Sequence, residues 1–176
     1  MNSMKEHKGK SASLSGSFNP LHYDHIGAVE ELFAMGYSKV YLFVRDNPAA
    51  DIVPWEVKQS WFEKLCGAYG DRLAFFRMPS PVTGKTYSSN LFTDMIRRED
   101  ELAGETIHGF YFSCDHAKIV EELAPLFPDR EFHIGNRGRG YSSTAIRDDL
   151  EGHRDWMPEY VYESIKNHEK NRGQIY

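Results

Sequence analysis

Short apolar runs alternate along this 176-residue chain with segments of helical spacing, and this alternation restricts the fold more than any other feature. The runs that predict buried strands are Ala12–Ser17, Lys39–Val44, Leu73–Met78, Ile107–Ser113 and Glu131–Ile134. Stretches whose apolar residues recur three or four positions apart predict helices, and they are Ile26–Phe33, Trp61–Ala68, Leu91–Ile96, Ile119–Leu126, Ser143–Leu150 and Glu159–Asn167. Because consecutive parallel strands need a helical crossover, the alternation predicts an α/β fold with helices on both faces of a parallel sheet.

The chain is predicted to form one domain, since no repeat, low-complexity tract or linker divides it. Its length is sufficient to bury most of its apolar surface without disulfides or metals. The stretch Met1–Lys10 is charged and lacks the apolar run of a secretory signal. We therefore expect a flexible N-terminal segment over residues 1–10, followed by one domain over residues 11–176.

Composition excludes several classes of protein. The formal net charge of −5 argues against a general nucleic-acid binder, because phosphate backbones require a basic surface. No apolar run approaches the ~20 residues of a membrane span. Cys66 and Cys114 are too few and too far apart for a disulfide framework or a metal knuckle, which predicts reduced thiols. We expect a cytoplasmic protein with no nucleic-acid or membrane partner.

The first segment that carries chemistry runs from Gly16 to His25 and reads Gly-Ser-Phe-Asn-Pro-Leu-His-Tyr-Asp-His. It leaves the first predicted strand and opens the first helix with His22 and His25, whose spacing puts both imidazoles on one helix face. The free N–H groups and positive dipole end of a helix N-terminus favour phosphate, and two imidazole donors would add hydrogen bonds. The alternative is a capping turn with two solvent-facing histidines.

The second segment runs from Gly138 to Arg147 and reads Gly-Arg-Gly-Tyr-Ser-Ser-Thr-Ala-Ile-Arg. Glycines precede three hydroxyl residues at a helix start, and Arg147 follows in the first turn. Hydroxyls and backbone N–H groups can surround phosphates, while an arginine can bind them with two parallel hydrogen bonds. The alternative is an ordinary N-cap with a solvent-facing arginine, because Ser and Thr are preferred caps.

Taken together, the two segments resemble the HxGH and ISSTxIR signatures of the nucleotidyltransferase superfamily. Within it the chain looks most like the nicotinate or nicotinamide mononucleotide adenylyltransferases. Their tails are similar to Trp156–Val161 followed by Ile165–His168 here. A third segment, Thr86–Leu91, resembles the Ser-Tyr-Thr-x-x-Thr-Leu stretch that lies beside the pyridine ring in that family; the alternative for it is a plain loop and N-cap.

The resemblance implies a Rossmann-like, doubly wound parallel sheet in a single domain with C-terminal helices. It implies transfer of AMP from ATP to the phosphate of nicotinate or nicotinamide mononucleotide, with release of pyrophosphate and formation of a dinucleotide in NAD biosynthesis. ATP and a mononucleotide are thus the expected partners. Mg²⁺ is the expected cofactor, held mainly by ATP phosphates and water as this hard cation prefers, and no protein metal site is predicted.

The resemblance also assigns roles to residues. Those expected to bind ATP are Gly16, Ser17, Phe18, Asn19, His22, His25, Asp115, Ser142, Ser143, Thr144 and Arg147. Of these, His22, His25 and Arg147 are the expected catalytic residues, with His25 nearest the reacting phosphate. The residues expected to bind the acceptor are Arg45, Trp55, Thr86, Tyr87 and Ser88. Alternatives are an N-cap for Asp115, a surface position for Arg45 and core packing for Trp55.

Two positions depart from the family pattern, since Asp24 replaces the glycine of HxGH and Ser113 replaces the glycine of a Gly-x-Asp motif that ends at Asp115. An altered acceptor is one alternative, either phosphopantetheine or an acceptor of cytidylyl transfer from CTP. A nucleotide sensor without turnover is an alternative of another class. The sequence does not distinguish nicotinate from nicotinamide mononucleotide as the acceptor, and it does not give the oligomeric state, for which a homo-oligomer is possible.

Overall fold

The computed structural model describes residues 7–79, 89–135 and 140–173. Its strands are β1 (Ser11–Gly16), β2 (Lys39–Asp46), β3 (Leu73–Pro79), β4 (Gly109–Ser113) and β5 (Glu131–Gly135). They form one sheet in the order β3-β2-β1-β4-β5, and all neighbouring strands are parallel. This order starts at the centre and continues outward in both directions, as in Rossmann-like sheets. The predicted α/β fold is confirmed.

Helices follow each of these strands in the chain. They are α1 (Tyr23–Ala34), α2 (Trp55–Gly67), α3 (Ser89–Ala103), α4 (Ala117–Leu123), α5 (Ser143–Asp148) and α6 (Glu159–Gly173). The helix predicted over Ser143–Leu150 ends earlier, because Asp149 leaves helical geometry at φ −149° and ψ 85°. The Asp149 carboxylate accepts a hydrogen bond from Gly152 N at 3.0 Å, which favours the 3₁₀ turn Glu151–Trp156.

The sheet has a hydrophobic core on each face, and β2 shows how the sequence builds both. Val40, Leu42 and Val44 point to the face covered by α1, α2 and α6, whereas Tyr41 and Phe43 point to the face covered by α3 and α4. This is the side-chain alternation of a strand buried on both sides.

Strand β1 lies at the centre of the sheet although its sequence, Ser-Ala-Ser-Leu-Ser-Gly, is mostly polar. Ser13 and Ser15 both donate hydrogen bonds to Glu99 of α3, over 2.5 and 2.7 Å. Ser11 donates in the same way to Glu105 at 2.7 Å. The three serine hydroxyls of β1 therefore all have hydrogen-bond partners, Glu99 within α3 and Glu105 just after it, and this makes the burial of the strand possible.

Of the predicted N-terminal segment, the structure describes residues 7–10, where His7 is only 5% exposed. Flexibility of residues 1–10 stays a prediction. Cys66 and Cys114 are both free. In the described part of the chain, no helix has both the length and the apolar character needed to cross a membrane.

Candidate functional site

A cavity of about 450 Å³ opens at the carboxyl ends of the central strands. It lies where the chain turns outward in opposite directions from β1 and β4, which is where open α/β sheets bind ligands. Five parts of the structure line it: the end of β1, the start of α1, the inner face of α3, the turn after β4, and residues 140–142 before α5. The two predicted signature segments therefore meet at one cavity.

His22 and His25 form a reciprocal cap at the N-terminus of α1. His22 Nδ1 accepts from Asp24 N at 3.2 Å, and His25 Nδ1 accepts from His22 N at 3.1 Å. The rings are stacked, with 3.7 Å between centroids. Because both Nδ1 atoms accept backbone hydrogen bonds, the proton of each neutral imidazole lies on Nε2. Both side chains line the cavity, and Nε2–H is the donor that each ring has left for a ligand.

Burial keeps this pair neutral. It lowers the pKa of His22 to about 4. Burial, together with the neighbouring His22, lowers the pKa of His25 well below its ordinary value. Protonation would also remove the Nδ1 lone pairs on which the cap depends. The arrangement offers two hydrogen-bond donors at a helix N-terminus, a combination suited to phosphoryl oxygens.

Three hydrogen bonds join the second signature segment to the first. Ser143 Oγ donates to Pro20 O at 3.0 Å. Arg147 Nη1 donates to Asn19 O at 2.7 Å, and Tyr141 N donates to Asp24 Oδ2 at 3.0 Å. The carboxylate at the position where the family pattern has glycine thus holds the loop that precedes α5. Alternation and spacing alone could not have shown this contact.

Six of the predicted site residues line the cavity, and seven others that the structure describes do not. Those that line it are Gly16, His22, His25, Arg45, Asp115 and Ser142. Those that do not are Ser17, Phe18, Asn19, Trp55, Ser143, Thr144 and Arg147. Thr86, Tyr87 and Ser88 lie outside the described residues. All of these roles stay predictions.

Several residues behind the cavity shape the turn after β1. Phe18 adopts a positive φ of 45° and is buried, with its ring 5.1 Å from that of Phe62. Asn19 donates to Ala50 O and accepts from Ile52 N, both at 2.9 Å. These contacts fix the turn that presents the histidine pair.

Arg45 and Trp55, both predicted to bind the acceptor, occupy different surroundings. Arg45 lines the cavity, and its buried Nε has no hydrogen-bond partner among the residues that the structure describes. A buried donor without a partner is costly, and a ligand oxygen would satisfy it. Trp55 begins α2, where the guanidinium of Arg77 lies 4.9 Å from its ring centroid. This contact favours the packing alternative for Trp55.

Sequence reasoning missed Glu99, which lines the cavity and is 3% exposed. Burial raises the pKa of its carboxyl to about 7, although the hydrogen bonds from Ser13 and Ser15 oppose the shift. A signal was present in the sequence. Phe92, Met95 and Ile96 form the apolar stripe of α3, and Glu99 continues that stripe at helical spacing. An acid inside an apolar stripe indicates a buried polar site.

The chain was compared with family profiles, curated proteins and solved structures. No family profile matches the chain. A probable nicotinate-nucleotide adenylyltransferase of Listeria innocua is 28% identical over 183 residues, which cover 92% of this chain and 97% of the relative.

Solved structures share the fold at low sequence identity. A Plasmodium falciparum nicotinic acid mononucleotide adenylyltransferase complexed with NaAD has a TM-score of 0.61 at 13% identity, over 92% of this chain and 96% of that one. A NadR protein in complex with NAD and AMP-PNP has a TM-score of 0.60 at 19% identity, over 86% of this chain and 45% of that one. Thermotoga maritima TmcAL bound with alpha-thio ATP has a TM-score of 0.65 at 13% identity, over 92% of this chain and 56% of that one.

The sheet order and the solved structures show a Rossmann-like domain, and the cavity together with the curated relative supports a nucleotidyltransferase enzyme. More particularly, the chain is similar over nearly its whole length to a nicotinate-nucleotide adenylyltransferase. The resemblance predicted from the two signature segments is confirmed.

Proposed function

We propose that this enzyme transfers AMP from ATP to nicotinate or nicotinamide mononucleotide, releasing pyrophosphate and forming a dinucleotide. The observation that carries the proposal is the reciprocal cap of His22 and His25, which presents two Nε2–H donors at a helix N-terminus inside the cavity. Similarity to the Listeria innocua relative supports the choice of acceptor.

In the proposed reaction, an oxygen of the acceptor phosphate attacks the α-phosphorus of ATP in line. The bond between the α-phosphorus and the bridging oxygen breaks, and pyrophosphate leaves. No protein nucleophile takes part, so positioning and charge stabilisation provide the catalysis. His25 and His22 donate to phosphoryl oxygens, while Ser142 binds the pyrophosphate half from the cavity wall. Arg147 lies behind this wall and donates to Asn19 O, so its proposed contact with the pyrophosphate requires that the guanidinium turn toward the cavity.

Mg²⁺ fits this cavity as an ion that arrives with the nucleotide. Two of the lining carboxylates already accept hydrogen bonds, Asp24 from Tyr141 N and Glu99 from two serines. Phosphate oxygens and water would therefore supply most ligands, as this ion prefers. When bound, it would neutralise charge on the phosphates.

The acceptor is proposed to occupy the α3 side of the cavity. Phe92 and Phe112 line this side, with their rings edge to face at 5.5 Å, and aromatic surfaces of this kind pack well against a planar heterocycle. Arg45 Nε, which has no hydrogen-bond partner within residues 7–79, 89–135 and 140–173, would donate to an anionic oxygen of the acceptor. Glu99 lies on the same wall and would contact the acceptor through the oxygen that the serines do not use.

An acceptor screen tests the proposed reaction. With ATP and Mg²⁺, we expect nicotinate or nicotinamide mononucleotide to yield a dinucleotide and one equivalent of pyrophosphate, measured by chromatography and a coupled pyrophosphate assay. Phosphopantetheine and CTP serve as the competing acceptor and donor. Turnover with either of these and with neither pyridine mononucleotide would contradict the proposal. ATP binding without pyrophosphate release from any acceptor would make the protein a sensor.

Two substitutions of Asp24 separate its charge from its hydrogen bond to Tyr141 N. Asp24→Asn keeps an oxygen acceptor and removes a charge that repels polyphosphate, so we expect ATP to bind up to about tenfold more tightly, or about 1.4 kcal/mol. Asp24→Gly also removes the hydrogen bond, a first-turn acid and a helix former. We expect its free energy of unfolding to fall by about 1–2 kcal/mol.

Calorimetric ATP titrations with and without Mg²⁺, together with denaturant unfolding, measure both effects. Weaker ATP binding by Asp24→Asn under both conditions would contradict the repulsion. A loss seen only with Mg²⁺ would assign Asp24 to the metal instead.

A further inference from the structure

Outside the cavity, three histidines surround one carboxylate beside the edge strand of the sheet. Glu131 and His133 lie on β5, His108 directly precedes β4, and His7 precedes β1. None of the four lines the nucleotide cavity. The residues are scattered over the sequence, so no local spacing indicates the cluster, and the fold alone brings them together.

The distances within this cluster approach those of a metal site. Glu131 Oε2 lies 2.7 Å from His7 Nε2 and 3.6 Å from His133 Nε2, and Glu131 Oε1 lies 3.4 Å from His108 Nε2. The candidate ligand atoms of His7, Glu131 and His133 all lie within 4.8 Å of one another. In a tetrahedral zinc site with bonds of about 2.0–2.1 Å, neighbouring ligand atoms are about 3.4 Å apart. Small side-chain movements would therefore close these three residues around an ion, and His108, which approaches only Glu131 among them at 3.4 Å, would move further to join as the fourth ligand.

The orientation of His7 is that of a metal ligand held by a backbone carbonyl. Its Nδ1 lies 2.8 Å from Met35 O. Since a carbonyl oxygen only accepts, Nδ1 carries a proton; Nε2 donates to the Glu131 carboxylate, and a bound ion would replace that second proton. Histidines that bind metals usually donate their other N–H in this way, which fixes the ring and its tautomer.

His108 supplies an independent observation. Its Nε2 is buried and has no hydrogen-bond partner among the residues described, although Glu131 lies 3.4 Å away. Buried polar atoms without a partner are rare. A cation between His108 and Glu131 would satisfy both.

The cluster is enclosed on the histidine side and open on the carboxylate side. Side-chain exposure is 6% for His7, 20% for His108 and 17% for His133, against 45% for Glu131. Tyr37 closes the far side, with its ring stacked on His7 at 4.3 Å and its hydroxyl 2.6 Å from His133 Nε2. An ion could enter past Glu131, and it would replace the hydrogen bond between the Tyr37 hydroxyl and His133 Nε2.

We propose that His7, His108, Glu131 and His133 bind one Zn²⁺ ion. Three imidazoles and one carboxylate suit this borderline ion rather than Mg²⁺ or Ca²⁺, which prefer all-oxygen ligands. Four protein ligands make a closed site, which is structural rather than catalytic. It links the residues before β1 to the edge strand β5 and does not depend on the proposed reaction.

Zinc titration of the full chain tests the proposal. The protein is stripped with a chelator and dialysed, and Zn²⁺ is then added against a competing indicator. We expect one tightly bound Zn²⁺ per chain, measured by elemental analysis, and a rise in Tm on zinc addition. Glu131→Gln keeps the size and a hydrogen-bond acceptor but removes the anionic ligand. It should raise the Kd for Zn²⁺ about 100-fold and abolish the rise in Tm.

His168→Ala is the matched control, since His168 lies on α6 and takes no part in the ion pairs of the cluster, and the zinc affinity of this variant should equal that of the unmodified chain. The absence of stoichiometric zinc binding by the unmodified chain would overturn the proposal, whatever the variants do. So would zinc binding that survives Glu131→Gln, or zinc that is lost from His25→Ala, which would place the ion in the nucleotide cavity.

Discussion

The His25→Ala variant is expected to fold and to lose at least about 10²-fold in kcat. Removal of one preorganised donor to a developing charge usually has an effect of this size. His25 is stacked on His22, and its Nε2–H is oriented by the cap at the start of α1. The loss should appear in kcat rather than mainly in the KM for ATP, because the donor is proposed to act on the reacting α-phosphate.

The His25→Ala result alone does not separate catalysis from stability, because alanine also removes the acceptor of the hydrogen bond from His22 N. His25→Gln separates the two roles, since glutamine at the third helical position can keep a capping box. We expect His25→Gln to recover stability in thermal unfolding but not kcat. His168→Ala should match the unmodified enzyme in both measurements. An unchanged kcat in His25→Ala would remove His25 from the mechanism, and full recovery in His25→Gln would reduce its role to capping.

Much of the fold was predictable because its pattern is local. The strands alternate with helices whose apolar stripes have the expected spacing, and a parallel sheet follows from that alternation. The sheet order was not predicted and comes from the structure, since periodicity along the chain does not specify which strands become neighbours. Strand β1 shows the limit most clearly. Its serines are unusual in a central strand, and only their partners Glu99 and Glu105 explain the burial.

The candidate site also has a part that the local sequence pattern predicts and a part that depends on long-range contacts. His22 and His25 were predictable because i, i+3 spacing at a helix start places both on one face. The contact between Asp24 and Tyr141 joins residues separated by 117 positions, and no local pattern contains it. Arg147 was predicted at the phosphates, but its guanidinium donates hydrogen bonds to Asn19 O and Thr144 Oγ1. Its part in binding therefore remains a prediction about the liganded enzyme.

Glu99→Gln is expected to stabilise the protein at alkaline pH and to reduce its activity. The folded protein holds the pKa of this buried carboxyl at about 7, against an ordinary value of 4.5. Below pH 4.5 the group is protonated in both folded and unfolded chains, so glutamine should have no advantage. Between pH 4.5 and 7 the unfolded chain loses this proton while the folded chain keeps it, so the free energy of unfolding falls as the pH rises; the full loss, reached above pH 7, is about 3 kcal/mol for a difference of about 2.5 pKa units. Above pH 7 the variant should therefore be more stable by up to about 3 kcal/mol.

Denaturant unfolding of both proteins at pH 4.5, 6, 7 and 8.5 measures this window. Glu101→Gln is the matched control, since it makes the same change at an exposed position of α3 and should alter stability by less than about 0.5 kcal/mol. Both serines donate to the same oxygen of Glu99, and the single amide oxygen of glutamine can still accept both, so a gain at high pH would report the charge and not the hydrogen bonds. Equal stability at pH 8.5 would mean that water or Arg45 already neutralises the carboxylate. A stabilised variant whose KM for the acceptor rises while its KM for ATP is unchanged would place Glu99 in acceptor binding. If both KM values stayed the same, the proposed acceptor position beside α3 would be wrong.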